Sequence, residues 1–484
     1  MTIQSKGALK LNTKYDVIVA GGGVIARATA LELSARRLSV ALIAPNSGLE
    51  KSASHAAGAM LGSFAEFCKD KWTLADQEEA KLRIESGRVW EAWYRSVAER
   101  ASSDGRVGRG TFIVATNHGS QDVENIRFIK AQADAWEEPS EWVEPKDVQG
   151  LAPHKLSRPQ LVLSLPKEGY IESRVLLDTL GKAISLDRSI TVIDETVVSI
   201  EADTRRVQVK TDRGAVLDAK EIVVAAGVNT LRLLPWLDVG VGQKLVMLGG
   251  RGSSAIVEAP LAFAGVMRTP NRDFACGSHL VPLSGRRIYL GATNRLETAE
   301  FDDPKPTVGE LYALCHSLAN ELNVHLRLGA VRETRAGFRP ITSDGCPLFG
   351  RTAHDRVLVA TGTYRNGILM APVIARSIAD ELTSSSGAAN NPFSPGNRAR
   401  MREDRDPVKE LLASVAQMVS FMQEPDGNLP FDRAAELEGL IRSLLGGVVR
   451  EADRSAVKET IEQTLARYPI QEAMPLILYA INSR

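Results

Sequence analysis

Three small residues at fixed spacing, Gly21, Gly23 and Ala26, are the first place in the chain where chemistry can be located. The first glycine permits a tight turn, and the second lets the backbone approach an anion with no side chain between them. The small third residue lets the following helix pack closely on the strand before it. A helix that starts at such a turn offers unbonded N–H groups to the anion, and the arrangement suits a pyrophosphate. The flanking elements have the required form. Val17-Ile18-Val19-Ala20 has the length and β-branching of a buried parallel strand. Val24, Ala28, Leu31 and Leu33 mark a helix, and Val40-Ala41-Leu42-Ile43 a second strand. Strand, glycine turn, helix and strand within about 30 residues form a dinucleotide-binding unit. One part is missing. An acid that grips the adenosine ribose is expected about 20 residues after the glycines, where the sequence has Ala44 and then Pro45. Either Asn46 or Ser47 replaces it, or the ribose is held less tightly.

At 484 residues the chain has room for two or three domains. Lys plus Arg and Asp plus Glu are balanced at 59 each, so bulk charge gives no case for binding nucleic acid or an anionic membrane. Cys68, Cys276, Cys315 and Cys346 have no metal-ligand spacing and suit a reducing compartment. The first residues, MTIQSKGALKLNTK, contain no apolar signal segment, and no apolar run of about 18 residues occurs. A cytoplasmic protein without a membrane span is the expectation.

Further along, residues 51–66 are rich in Ser, Ala and Gly, which permits close approach to a flat ligand or simply a packed loop. Residues 75–105 and 123–136 read as helices, and 110–116 as a strand. Residues 168–184 read as a turn and then a helix, and 190–224 as three strand-like runs ending in Ala225-Ala226-Gly227. Residues 242–293 alternate as an antiparallel sheet does, and 307–325 are helical. Residues 335–350, dense in Gly and Pro, read as a loop. A strand at Val357 and a helix running to Leu382 follow. A Ser/Gly/Asn/Pro linker occupies 384–397, and 398–484 show helical periodicity only, with Leu437, Leu440, Ile441, Leu444 and Leu445 on one helix.

Four blocks in this order resemble the D-amino acid oxidase family of FAD-dependent oxidoreductases, and within it the glycine oxidase branch. They are VAGGGVI, the SHAAGAMLG segment from Ser54, AGFRPITSDG from Ala336 and ATGTYRNGIL from Ala360. The resemblance runs from about Tyr15 to Leu382. It implies an α/β fold with a Rossmann-like FAD-binding domain (12–75, 156–235 and 335–383) and an interleaved antiparallel-sheet substrate domain (76–155 and 236–334). Non-covalent FAD is implied, since the residue at the position of the flavin-linking cysteine in related enzymes is Gly337. The residues expected at the FAD are Gly21, Gly23, Val24 and Ile25 at the pyrophosphate, with Ser54, Ala57, Gly58 and Met60 beside the flavin. Val197, Ala226 and Gly227 come from the later strands, and Gly362, Tyr364, Arg365, Asn366, Gly367, Ile368 and Leu369 wrap the flavin edge.

The implied reaction is oxidation of the Cα–N bond of a small amino acid (glycine, an N-substituted glycine or a D-amino acid) to an imine and then a 2-oxo acid. Hydride passes to the flavin, which O2 or another acceptor reoxidises. Arg339 stands where the family fixes the substrate carboxylate, a role suited to a planar, permanently charged, bidentate donor. The competing role is an ion pair with Asp344. Arg365 matches a second arginine that either completes the carboxylate site or contacts cofactor. His279 replaces a tyrosine that helps bind the carboxylate. It either bonds the carboxylate, accepts the amine proton near neutral pH, or is a half-buried residue of the sheet. An NAD-linked dehydrogenase would need the acid missing at position 44 and leaves the Tyr364-Arg365-Asn366-Gly367 block without a role. The third alternative is a flavin subunit of a multi-protein dehydrogenase, with the C-terminal helices docking a partner or making an oligomer.

Overall fold

The computed structural model describes residues 14–45, 52–69, 72–118, 121–237, 245–271, 277–297, 301, 303–342, 344–383 and 391–401. Two sheets organise them. In chain order the chain forms β1 (Lys14–Ala20), α1 (Val24–Ala35), β2 (Val40–Ile43), α2 (Ala53–Ala56), β3 (Met60–Leu61), α3 (Leu74–Arg100), β4 (Gly108–Thr116) and α4 (Asp122–Ala135). Next come β5 (Glu141–Trp142), β6 (Pro159–Tyr170), α5 (Ser173–Leu186), β7 (Ile190–Ile193), β8 (Val197–Ala202), β9 (Val207–Thr211) and β10 (Val216–Val224). The remainder is α6 (Thr230–Leu233), β11 (Met247–Glu258), β12 (Val266–Arg268), β13 (His279–Pro282), β14 (Arg287–Gly291), β15 (Arg295–Glu297), α7 (Val308–Glu321), β16 (Ala330–Thr342), β17 (Leu348–Arg351), β18 (Val357–Thr361) and α8 (Gly367–Thr383).

The first sheet runs β17-β18-β10-β1-β2-β7, with β9 and β8 extending from β10. Its centre is parallel: β1 pairs with β10 and β2, β10 with β18, and β2 with β7. These strands are continuous apolar runs because both faces are covered, as parallel sheets require. Val17, Val19, Val40 and Leu42 pack on one face with α1, α5 and α8. Ile18, Ala20, Ala41 and Ile43 pack on the other.

The second sheet runs β15-β11-β14-β13-β12-β4-β6-β3, with β16 on β11 and β5 on β6. It is antiparallel except where β12 joins β4 in parallel. Two strands here depart from the sequence expectation. The Gly/Pro-dense stretch at 335–350 is a strand in its first half, since β16 pairs with β11 from Ala330 to Thr342. Pro340 is tolerated because, among the described residues, β11 is the one strand beside β16, whose other side carries only a bridge from Ser52 to Phe338. Glu168 belongs to β6 rather than to a turn. Thus 159–170 and 330–342 build the second sheet, and a division by sheet differs there from the expected domain boundaries.

The helix α3 opens with a capping box between Thr73 and Asp76. It is anchored by buried Trp90, whose Nε1–H donates to Ile368 O at 3.0 Å. Residues 391–401, expected as linker and tail, pack back on the first sheet. Phe393 is buried against Phe349, and Arg398 is fully buried. The remainder of the expected helical extension, 402–484, lies outside the described residues. Among the described residues no helix is long and apolar enough to cross a membrane.

Candidate active site

A cavity of about 750 Å³ lies between the two sheets and runs past the glycine turn. One end is lined by Ile43, Pro45, Val197, Asn229 and Arg232, the middle by Gly21 to Ile25 and Ala226, and the other end by His279, Arg339 and Arg365. Gly21 sits at φ 137°, and a Cβ there would stand 2.2 Å from Ala225 O, so the turn between β1 and α1 needs glycine. The N-cap of α1, Gly23, carries no side-chain cap, which leaves helix-start N–H groups for an anion. Ser54 Oγ takes one of them, accepting from Val24 N–H at 3.1 Å. The elongated cavity, the side-chain-free turn and the polar far end fit FAD laid with its pyrophosphate over α1.

The missing ribose acid is explained in part. Ala44 is buried at the end of β2, and Asn46 and Ser47 lie outside the described residues. Among the described residues the Val197 end of the cavity is lined by Thr196, Asn229 and Arg232 and by no carboxylate.

At the opposite end a buried polar cluster, missed by sequence reasoning, organises the site. Arg268, 1% exposed, pairs with Glu66 and donates to Asn271 Oδ1 at 2.6 Å. Arg365 Nη1 donates to the same Asn271 oxygen at 3.1 Å and stands 4.0 Å from Glu66. Burial pushes the Glu66 carboxyl up, but Arg268 and Arg365 outweigh it and hold it ionised, well below the usual carboxylate range. Glu168 behind it is pushed up by burial to about 7, although it accepts N–H bonds from Phe64 and Ala65. Nothing in the local sequence marks Arg268, which ends the short strand β12. Glu66 follows the small-residue segment but matches no motif.

Arg339, on β16, is held differently. Its Nη1 donates to Thr293 O at 3.0 Å and to Asn294 Oδ1 at 3.1 Å. Among the described residues no carboxylate pairs with it. The expected competitor, Asp344, is taken by Arg398, whose Nε donates to Asp344 Oδ2 at 2.6 Å. Room for the guanidinium comes from Gly252 on β11, where a Cβ would fall 2.2 Å from Arg339 Nη2. Tyr364, in a left-handed backbone at φ 46°, donates its N–H to Pro340 O at 2.9 Å and so ties the 362–367 loop to β16.

His279, 4% exposed on β13, stacks on Tyr289 at 5.9 Å between ring centroids. Burial, then the charges of Arg268 and Arg339, push its pKa down to about 3. Its protonated form is disfavoured, which counts against the reading in which it accepts the amine proton near neutral pH.

Of the residues expected at the FAD, Ala57, Gly58, Met60, Gly227, Asn366, Gly367 and Ile368 line the cavity. Two expected contacts do not. Leu369 is 1% exposed in the apolar core beneath α8, and a Cβ at Gly362 would meet Thr342 and Cys346, away from the cavity lining. The helical period from Gly367 turns Leu369 inward. Cys346 is buried as a packed thiol.

The fold and the glycine turn define a dinucleotide-binding protein of two sheets. A family model described as FAD dependent oxidoreductase matches residues 16–381, and the chain belongs to that family. Its enzymes use FAD. A glycine oxidase of Geobacillus kaustophilus (strain HTA426) is 28% identical over 373 residues, covering 76% of this chain and 92% of that one. The crystal structure of glycine oxidase from the same species superposes with a TM-score of 0.67 at 26% identity, covering 79% and 98% of the two chains. A bifunctional protein ThiO/ThiG of Trichormus variabilis is 28% identical over 371 residues, and the match spans 52% of its length. An iminodiacetate oxidase from Chelativorans sp. BNC1 shares the fold with a TM-score of 0.63 at 19% identity.

Proposed function

We propose that this protein oxidises the Cα–N bond of a small α-amino acid, with Arg339 holding the substrate carboxylate. The observation that carries the reading is the Arg339 guanidinium on the cavity wall, steadied by Thr293 and Asn294 and paired with no described carboxylate. A permanently charged fork in that setting suits an incoming carboxylate. When bound, FAD supplies the two-electron acceptor that converts the amine to an imine, which water then hydrolyses to the 2-oxo acid and the free amine or ammonia. Gly21, Gly23, Val24 and Ile25 would hold its pyrophosphate, Ser54 to Met60 and Tyr364 to Ile368 its ring system, and Val197, Ala226 and Gly227 its adenosine side. Arg365 is locked to Asn271 beside Glu66, so it serves the cofactor side of the cavity rather than a free carboxylate. The protein's main task is positioning.

The similarity to glycine oxidases favours glycine, sarcosine or a D-amino acid among substrates. The purified protein is expected to show a flavin absorbance band that bleaches when one of these is added without oxygen. A bound flavin that stays oxidised with every such amine would sink the reading.

A further inference from the structure

His279 occupies the cavity wall with one ring nitrogen committed and the other not. Its Nδ1 lies 2.9 Å from Gly277 O. A carbonyl oxygen only accepts, so Nδ1 carries the hydrogen. The ring is 4% exposed and stands near the Arg268 and Arg339 charges, which disfavour a second ring proton. Nε2 therefore presents a lone pair, and no donor among the described residues reaches it. A Cβ at Gly291 on the facing strand would sit 2.6 Å from Nε2, so glycine there keeps a side chain off this edge of the ring. The Tyr289 ring, 17° from parallel, fixes the imidazole plane.

A bare acceptor close to Arg339 has a definite consequence. It repels a carboxylate oxygen and attracts a hydrogen carried by the group next to the carboxylate. We propose that His279 is a specificity-determining acceptor: its Nε2 takes a hydrogen bond from the N–H on the α-carbon while Arg339 holds the carboxylate. This rests on the Arg339 reading above and refines the substrate class. Primary and secondary α-amines, whose neutral forms keep an N–H, are accepted. Tertiary amines, whose neutral forms have none, are discriminated against. The role differs from both sequence expectations, since the histidine neither donates to the carboxylate nor takes the amine proton.

The test uses the oxidised flavin-loaded protein and small carboxylates that perturb flavin absorbance. Glycolate carries an O–H beside its carboxylate, methoxyacetate the same oxygen without the hydrogen, and acetate neither. Glycolate is expected to bind about tenfold or more tighter than methoxyacetate, the effect of leaving a buried acceptor unpaired. In His279→Phe, which keeps the stacked ring, that preference is expected to collapse to about one while acetate binding holds. Equal affinities in the natural protein, or a preference that survives in His279→Phe, would overturn the proposal. Where His279→Phe loses flavin, the natural protein alone decides, by comparing flavin reduction by sarcosine and by N,N-dimethylglycine without oxygen. Comparable rates count against the proposal, and at least tenfold slower reduction by the tertiary amine supports it. A glycolate preference in a protein that no amine reduces would sink the amino acid reading and leave the acceptor intact.

Discussion

At the scale of single residues, the site separates charges that are satisfied from one that is not. Arg268, Arg365 and Arg398 each lie beside a carboxylate, whereas among the described residues Arg339 is held by a carbonyl and an amide oxygen and by no carboxylate. Arg339→Ala is expected to lower the efficiency of flavin reduction by an amino acid at least a hundredfold while the flavin-to-protein ratio stays near that of the natural protein. Arg339→Lys should recover only part, because an ammonium cannot reproduce the planar fork. Gly252→Ala is expected to mimic the loss without touching the arginine, since the added Cβ lies 2.2 Å from Nη2 and must displace it. A Gly252→Ala protein with unchanged substrate affinity would show that the guanidinium does not depend on that gap. Arg339 was legible in the sequence through the block around it. Arg268 and Glu66 were not, because burial and a partner 202 positions away confer their role, and neither leaves a local pattern.

At the scale of elements, the β1-turn-α1 unit was readable because each of its parts has a distinct requirement: β-branching, glycine, helical period. Residues 335–350 misled because Gly and Pro are breakers in isolation, while at an edge strand beside Gly252 they are accommodated. Gly21→Ala is expected to abolish flavin retention, read as the absorbance ratio of purified protein, because Ala225 O blocks the Cβ. The strand β6 carries a further consequence. Glu168 has a folded-state pKa of about 7 against an ordinary 4.5, so the folded protein binds its proton more tightly than the unfolded chain does. Its contribution is fully present below pH 4.5 and is lost as the pH rises towards 7. Glu168→Gln keeps an oxygen for the Phe64 and Ala65 N–H groups and removes the titration. The variant is expected to melt higher than the natural protein at pH 8, with the difference shrinking towards pH 4.5; a pH-independent difference in Tm would contradict this.

At the scale of the whole molecule, the two sheets close over one cavity, and their strands interleave along the chain. That interleaving was implied by the family pattern rather than by periodicity, which reads elements but not their partners. The Arg398 contact was not legible at all. Its guanidinium bonds Asp344, Thr342, Cys346 and Pro347 around the β16–β17 turn, three to eight positions beyond Arg339. Arg398→Ala removes the guanidinium that neutralises the buried Asp344 carboxylate, a loss of about 3–5 kcal/mol for breaking one partner of such a pair. Thermal unfolding followed by flavin fluorescence should show a clear drop in Tm, partly restored when Asp344→Asn is added. A double variant no more stable than the single one would place the loss in packing instead of charge.

The same contact separates two boundaries that are usually treated as one. The family likeness ends at residue 381, yet the chain is stitched into the first sheet at least as far as Arg398. The stretch that the family model matches is thus shorter than the stretch that packs together. A chain stopped at Thr383 would keep every residue that the family model matches and still lose the arginine against which the buried Asp344 lies.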